Sequence, residues 1–291
     1  MRRLAATAAV LVACSLAGTP AHAATGSGKV IIEVFPGPNA IHDALAVANA
    51  GDTLDIHTGI YREHFTVGID DLTLQDAGDG TVTVDGTCSA SDTIQIKGDG
   101  VTIRGLRVIG AGTGFAPKEI DFLGVTSGRV IDSEVDDTCG NAEYGVNVFN
   151  SGSIRVIRTS ATGFADAGIY IGQITSTQFG PLVISGNDTY GNERGIIVEN
   201  SAGGQILVRT NSVHDNATTG IWITNSDGVH IQRNSVLDNH DSGIELDSFS
   251  SRNLVRQNVS EGHTYDLAND GGNGNCFQFN TYSTSLGDIS C

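Results

Sequence analysis

Five short segments, GVNVF, GIYIG, GIIVE, GIWIT and GIELD, begin at Gly145, Gly168, Gly195, Gly220 and Gly243 and so recur every 23–27 residues. Asparagines run beside them at Asn187, Asn211, Asn234, Asn258 and Asn280, spaced 22–24 apart. A period of this length, made of β-branched strands with no helical pattern between them, predicts a solenoid with one coil per repeat. Within Val229–Asp247 the pattern reads strand (229–233), tight turn at Asn234, strand (235–238), loop (239–242) and strand (243–247). Three strands per coil, stacked in register, predict three parallel sheets around a narrow apolar core. The fold class is therefore all-β, a single-stranded parallel β-helix with 22–27 residues per coil. Stacking would set each asparagine about 4.8 Å from the next. Their side-chain amides could then bond along the axis, and asparagine tolerates the left-handed backbone of a tight turn. These asparagines are assigned to structure rather than chemistry.

The start of the chain sets the compartment. Arg2 and Arg3 precede an apolar run from Leu4 to Leu16, and Ala21-His22-Ala23 offers a small-residue cleavage site before Ala24. This predicts a secretory signal peptide over 1–23 and a mature β-helix domain over 24–291. No later segment is apolar enough to span a bilayer. Leu11-Val12-Ala13-Cys14 leaves open lipid anchoring at Cys14. Otherwise the protein is secreted. Four cysteines remain after the leader, Cys88, Cys139, Cys276 and Cys291, and an even count in an exported chain predicts two disulfides. Cys276–Cys291 would staple the C-terminal end. Cys88–Cys139 would need loops to close the gap, because two coils are about 9–10 Å apart.

The formal net charge is −17, and loss of Arg2 and Arg3 with the leader makes it −19. Bare nucleic acid would be repelled. An acidic polysaccharide would need a local basic patch or a bridging cation. Near the N-terminus Val30–Phe35 reads as a strand. Asn39 is placed to N-cap a helix over about 39–50, with Ile41, Ala44, Leu45 and Ala48 on one face and Gly51 to stop it. Such a helix would cover the open end of the first coil.

The strings IHDALAVANAGDTLDIHTGIYREHFTV (Ile41–Val67), LTLQDAGDGTVTVDG (Leu72–Gly86), VTIRGLRVIGAG (Val101–Gly112) and GNCFQFNTYSTSLGDISC at the C-terminus resemble coils of secreted right-handed parallel β-helix proteins of the pectate-lyase-like superfamily. The resemblance covers nearly the whole mature chain and implies a right-handed coil. It implies fold more than activity, since the superfamily includes lyases, hydrolases, epimerases, esterases, binding proteins and copper-maturation proteins. The hydrolase and pectin-esterase motifs are absent. Lysine-based lyase sites are hard to build from Lys29, Lys97 and Lys118. A copper role is disfavoured by the lack of methionine after the leader and by the expected pairing of the cysteines.

Candidate chemistry falls on the G-I-x-I strands. Side chains alternate along a strand, so one outward row reads Asn147, Tyr170, Ile197, Trp222 and Glu245. The next reads Phe149, Gly172, Glu199, Thr224 and Asp247. Trp222 and Tyr170 are candidates for stacking on sugar rings. The alternative is packing of this face under the loop Gln173–Pro181. The loop Asn239–Ser242, with His263 and Tyr265 in the next coil, predicts convergence of His240, Asp241, His263, Tyr265, Glu245 and Asp247. Asp247, Glu245, His240 and Asp241 are the candidate catalytic residues, and Trp222, Tyr170, Glu199, His263 and Tyr265 the candidate substrate contacts. Glu245 and Asp247 would stand about 6–7 Å apart by strand rise, within reach of an inverting carboxylate pair. Glu199, Glu245 and Asp247 could instead hold Ca²⁺, with His240 or Tyr265 moving a proton. The string DNHD (Asp238–Asp241) resembles the Asp-Pro-His-Asp signature of alginate epimerases, with Asn239 in place of proline. The expected protein is a monomer that binds, and cleaves or modifies, an extracellular polysaccharide as a lyase, hydrolase or epimerase. The alternative is a non-catalytic surface or binding module.

Overall fold

The computed structural model describes residues 9–10 and 28–291, apart from 91, 113, 176–179 and 203–204. Cys14 and the predicted cleavage site lie outside the described residues. The chain is a parallel β-helix of three sheets, with twelve, nine and ten strands. One coil runs His230–Gln232, Ser235–Leu237 and Ser242–Leu246, contributing one strand to each sheet. Inward side chains stack by type along the axis. Val208, Ile231 and Val255 of the first sheet, Val213 and Val236 of the second, and Ile221, Ile223, Ile244 and Leu246 of the third are all fully buried. Each such side chain contributes about 1.5–3 kcal/mol by burial.

The corners explain why the coils close. At the first corner a left-handed residue precedes each ladder asparagine: Gly186, Thr210, Arg233, Gln257 and Phe279, with φ between 54° and 67°. The positive φ thus belongs to the residue before each asparagine, not to the asparagine as the sequence suggested. The asparagine side chain turns inward and binds along the axis. Asn211 Nδ2 donates to Ile184 O at 3.1 Å and to Asn234 Oδ1 at 2.9 Å, and Asn211 Oδ1 accepts from Asn187 N at 3.0 Å. The second corner repeats the device with Asn192, Asn216 and Asn239 after Gly191, Asp215 and Asp238. The third uses Ser201, Ser226 and Ser250, the first two after Asn200 and Asn225. A non-glycine residue in the left-handed region costs about 1–2 kcal/mol. Each ladder side chain offsets that strain by pairing buried backbone groups.

The glycine that opens each G-I-x-I segment is required by space. A Cβ on Gly195 would lie 2.4 Å from Val213 Cγ1, and one on Gly220 would lie 2.5 Å from Val236 Cγ1 and 2.8 Å from Asn239 Nδ2. The glycine column leaves room for the second corner's ladder. Gly195→Ala is expected to destabilise by about 1–2 kcal/mol through overpacking, read as a lowered thermal midpoint. An unchanged midpoint would show that the column has slack. The same register position holds Glu119 one coil before Gly145 and Asp266 one coil after Gly243. Both carboxylates are buried.

At the N-terminal end the helix is shorter than its sequence pattern suggests, Ala40–Leu45, with Ile41 and Ala44 buried. Asn39 has φ 56° and makes no side-chain cap. Glu63 caps the helix instead, accepting Ile41 N and His42 N at 3.0 Å each. Gly51 lies beyond the helix end, because Asp52 Oδ2 already takes Asn49 N at 2.8 Å and turns the chain. Both disulfides form as paired in the sequence reading. Cys88 and Cys139 reach across a coil, with Cα atoms 5.7 Å apart. A bulge after Asp85 carries Cys88 outward, and the coil between them passes at Gly112, where a Cβ would touch both cysteines. Cys276–Cys291 folds the tail onto the last coil, where Phe277 N donates to Ser290 O at 3.2 Å and Asn269 Nδ2 to Asp288 O at 2.7 Å.

Candidate functional site

The outward row of the third sheet has the register the alternation predicted. Asn147, Tyr170, Ile197, Trp222 and Glu245 are direct neighbours on successive strands. Their environment differs from the open platform expected of exposed aromatics. Tyr170 is 7% exposed, Ile197 1% and Asn147 3%, while Trp222 stays partly open. Neighbouring side chains lie down over the row. Tyr170 lies across Gly172, where a Cβ would sit 2.5 Å from its ring, and its hydroxyl donates to Glu199 Oε2 at 2.7 Å. Tyr144 packs on Tyr170 with ring centroids 4.5 Å apart and reaches Asp166 Oδ2 at 3.2 Å. Arg194 pairs with Asp166 and sets its guanidinium 4.9 Å from the centroid of Trp222, a cation–π arrangement. Of the long loop Gln173–Pro181, residues 176–179 lie outside the described residues.

The carboxylates divide by partner. Glu245 is half-buried and accepts Thr219 Oγ1 at 3.1 Å. Burial raises its pKa, hydrogen bonds from Ser242 and Thr219 oppose the rise, and Asp270 adds to it. This carboxyl therefore holds its proton to higher pH than an open glutamate. Asp247 does not face the sheet beside Glu245. It is drawn into the third corner, accepting Thr224 Oγ1 at 2.6 Å, Ser250 Oγ at 2.7 Å, and the backbone N–H groups of Asn225 and Phe249. Asp247 is thus engaged by four donors, none of them shared with Glu245. Nor do Glu199, Glu245 and Asp247 form a Ca²⁺ set, since each is committed to different partners. Among the described residues no three His, Cys, Asp or Glu side chains gather as metal ligands.

The histidines separate as well. His240 is 78% exposed and bonds only its neighbour, Nδ1 to Asp241 Oδ1 at 2.7 Å. His263 is fully buried and takes the ladder position after Asn239 at the second corner. Asn239 Nδ2 donates to its Nε2 at 3.1 Å, so Nδ1 carries the proton donated to Asp266 Oδ1 at 3.0 Å. Burial lowers its pKa, in keeping with a neutral ring. Tyr265 is 38% exposed and pairs with Ser242. The structure therefore brings Trp222 beside Glu245 and Tyr170 onto Glu199. It leaves His240, Asp241, His263, Tyr265 and Asp247 outside that group. The sequence reading missed Arg194, Asp166 and Tyr144. Arg194 and Tyr144 directly precede repeat glycines, a position open to inspection.

Solved structures share the architecture. Pectate lyase Pel9A superposes with a TM-score of 0.62 at 15% identity, over 90% of this chain and 78% of that one. The A-module of the Azotobacter vinelandii mannuronan C-5 epimerase AlgE4 gives 0.54 at 15%, over 90% and 89%. The Dettilon tailspike protein gives 0.62 at 14%, over 90% and 52%. At these identities the likeness is one of fold. No curated protein matches by sequence. The family described as "Periplasmic copper-binding protein (NosD)" matches residues 79–286, most of the repeat array. Its description names copper, a role disfavoured on sequence grounds. By this match the chain belongs to the NosD family.

Proposed function

We propose that the protein is exported and binds an extracellular polysaccharide along the outer face of the third sheet, centred on Trp222. The observation that carries this reading is the placement of Trp222. It is partly open, has the Arg194 guanidinium on its ring, and has the half-buried Glu245 as its direct neighbour on the next strand. An aromatic face, a cation and a proton-holding carboxyl in contact suit a sugar with its acidic or hydroxyl groups. Support comes from the polysaccharide enzymes among the fold's neighbours. Two disulfides, a family described as periplasmic, and the predicted leader over 1–23 suit an oxidising exported compartment. No described helix is long and apolar enough to cross a membrane.

If a bond is cleaved or rearranged, Glu245 is the group suited to give a proton. Asp247 is engaged by Thr224, Ser250 and two backbone N–H groups, which favours binding over inverting hydrolysis with that carboxylate. A panel of plant, algal and microbial polysaccharides tests both steps. Trp222→Ala is expected to weaken binding at least tenfold. Glu245→Gln is expected to retain binding and lose any product seen by mass spectrometry. Binding unchanged by Trp222→Ala sinks the site, and product unchanged by Glu245→Gln removes Glu245 from the chemistry.

Thiolate or thioether ligation of copper, the metal named in the family's description, does not fit the donors present. Cu(I) favours thiolate and thioether ligands. All four cysteines after the leader are in disulfides, and the single methionine is Met1. His57 is engaged by carboxylates at both ring nitrogens, Glu33 at 2.8 Å and Asp79 at 2.7 Å. His214 is held likewise by Asp188 and Asp215.

A further inference from the structure

The outer face of the first sheet takes no part in that site, and beyond its acidic early strands, which hold Glu33, Asp55 and Asp76, it carries charge of opposite sign to the molecule. The eight first-sheet strands from Val101–Arg104 to Cys276–Gln278 contain no aspartate or glutamate, yet they hold Arg104, Arg129, Arg155, Arg209 and Arg256. The chain as a whole is at −17, and the third-sheet strands alone hold six carboxylates. Positive charge is therefore segregated onto one face.

Its densest part is Arg104, Arg129 and Arg155, on three successive coils and all exposed. Arg129 and Arg155 are direct neighbours in register. Like charges placed opposite each other destabilise a strand pair. Elsewhere the arginines find carboxylates: Arg107 with Glu134 and Asp136, Arg158 with Asp132, Arg194 with Asp166, Arg252 with Asp227. Among the described residues Arg129 and Arg155 have no such partner. Nearby acids are committed, Asp132 to Arg158 through two bonds and Asp99 to the Thr126 N–H. The same outward row continues from Arg129 into Thr102, Thr73 and Thr53.

We infer that this face binds a linear acidic polysaccharide, its carboxylates on Arg104, Arg129 and Arg155 and its hydroxyls toward the threonine row. The guanidinium fork matches a carboxylate in two bonds. Arg129 and Arg155 stand in one row at the coil spacing of about 4.8 Å, and Arg104 lies one coil further and two residues along its strand, which suits a chain that repeats one carboxylate per sugar. A duplex nucleic acid is too broad for this strip and would meet the acidic faces beside it. The inference concerns a separate face and stands independently of the Trp222 site.

Calorimetric titration of the mature protein with short polygalacturonate and polymannuronate chains at low salt tests it, with a neutral glucan and duplex DNA as comparisons. Binding is expected for at least one polyuronate and is expected to weaken as salt rises. The triple variant Arg104→Gln, Arg129→Gln, Arg155→Gln, checked for an unchanged thermal midpoint, is expected to lose roughly tenfold or more through three lost charge contacts. Arg252→Gln, which removes an exposed charge that is already paired with Asp227 outside the patch, is expected to keep this salt-sensitive binding. No polyuronate binding by the parent, equal binding by the triple variant, or DNA binding as tight as polyuronate binding would each overturn the inference. Loss in Trp222→Ala with retention in the triple variant would assign the ligand to the third sheet and overturn it too.

Discussion

Replacing Asn234 with alanine is expected to cost about 3–5 kcal/mol, the largest effect of any single change considered for this molecule. The side chain makes four ladder bonds. Its Nδ2 donates to Val208 O and Asn258 Oδ1, each at 3.0 Å, and its Oδ1 accepts from Asn211 N at 3.0 Å and Asn211 Nδ2 at 2.9 Å. Alanine leaves Asn211 N and Val208 O without these partners, each worth about 1–3 kcal/mol unless water reaches it, and takes one of two bonds from Asn211 Nδ2 and from Asn258 Oδ1. The left-handed Arg233 would keep its strain and lose the bonds that offset it. In a solenoid the loss falls on the interfaces with both neighbouring coils, so unfolding should divide the molecule near this coil. Denaturant melts and hydrogen exchange of the flanking coils measure the two effects. Asn225→Ala is the control: its side chain bonds Asn200 on the surface, and a change of about 1 kcal/mol is expected, mostly from placing alanine at a positive φ. If Asn234→Ala shifts stability no more than Asn225→Ala, the ladder is not what holds the coils.

Glu119→Gln is expected to do the reverse and stabilise the protein in alkaline solution. Glu119 is fully buried, and burial pushes its pKa up to about 7, against hydrogen bonds from Thr93 and Ala111. Oε2 is 2.7 Å from Thr93 Oγ1, which lies 3.2 Å from Ile109 O, and Oε1 accepts Ala111 N at 3.0 Å. A protonated Oε2 can donate to Thr93, which donates onward to Ile109 O. In the unfolded chain the group titrates near 4.5. Between these values the folded state binds more protons than the unfolded, so stability falls as pH rises. The contribution is present in full below about pH 4.5 and gone above about pH 7. By linkage the difference is about 3 kcal/mol. Glutamine keeps the donor and acceptor without the charge. The variant should match the parent at pH 4.5 and exceed it by that amount at pH 8 in urea melts. Equal pH dependence of the two proteins would mean that Glu119 is not the group responsible.

Much of this molecule is legible in its sequence because translation along an axis writes itself as a period. The glycine segments and the first asparagine ladder gave strands, corner and register, and the outward row from Asn147 to Glu245 is placed as alternation required. Asn192, Asn216 and Asn239 recur at the same spacing and were equally open to view. The functional residues are least legible where a corner changes the residue type or direction that the period leads one to expect. His263 occupies an asparagine position and so reads as chemistry while serving as a ladder end. Asp247 lies two residues beyond Glu245, but the strand ends at Leu246 and the corner turns its carboxylate away. Exposure was the least legible property. Whether Tyr170 is open depends on Tyr144 one coil away and on a glycine two residues along, and neither follows from strand period.

The tail stapled by Cys276–Cys291 has a meaning beyond local stability. A helix built by translation has no internal length marker: each coil presents to the next the same row of backbone groups that it received. A bare final strand is a growing end, ready for the first coil of another copy. Here Ser290 occupies Phe277 N and Asp288 occupies Asn269 Nδ2, and the disulfide holds them there. The bond thus holds the tail over polar groups that the last coil would otherwise present to another strand.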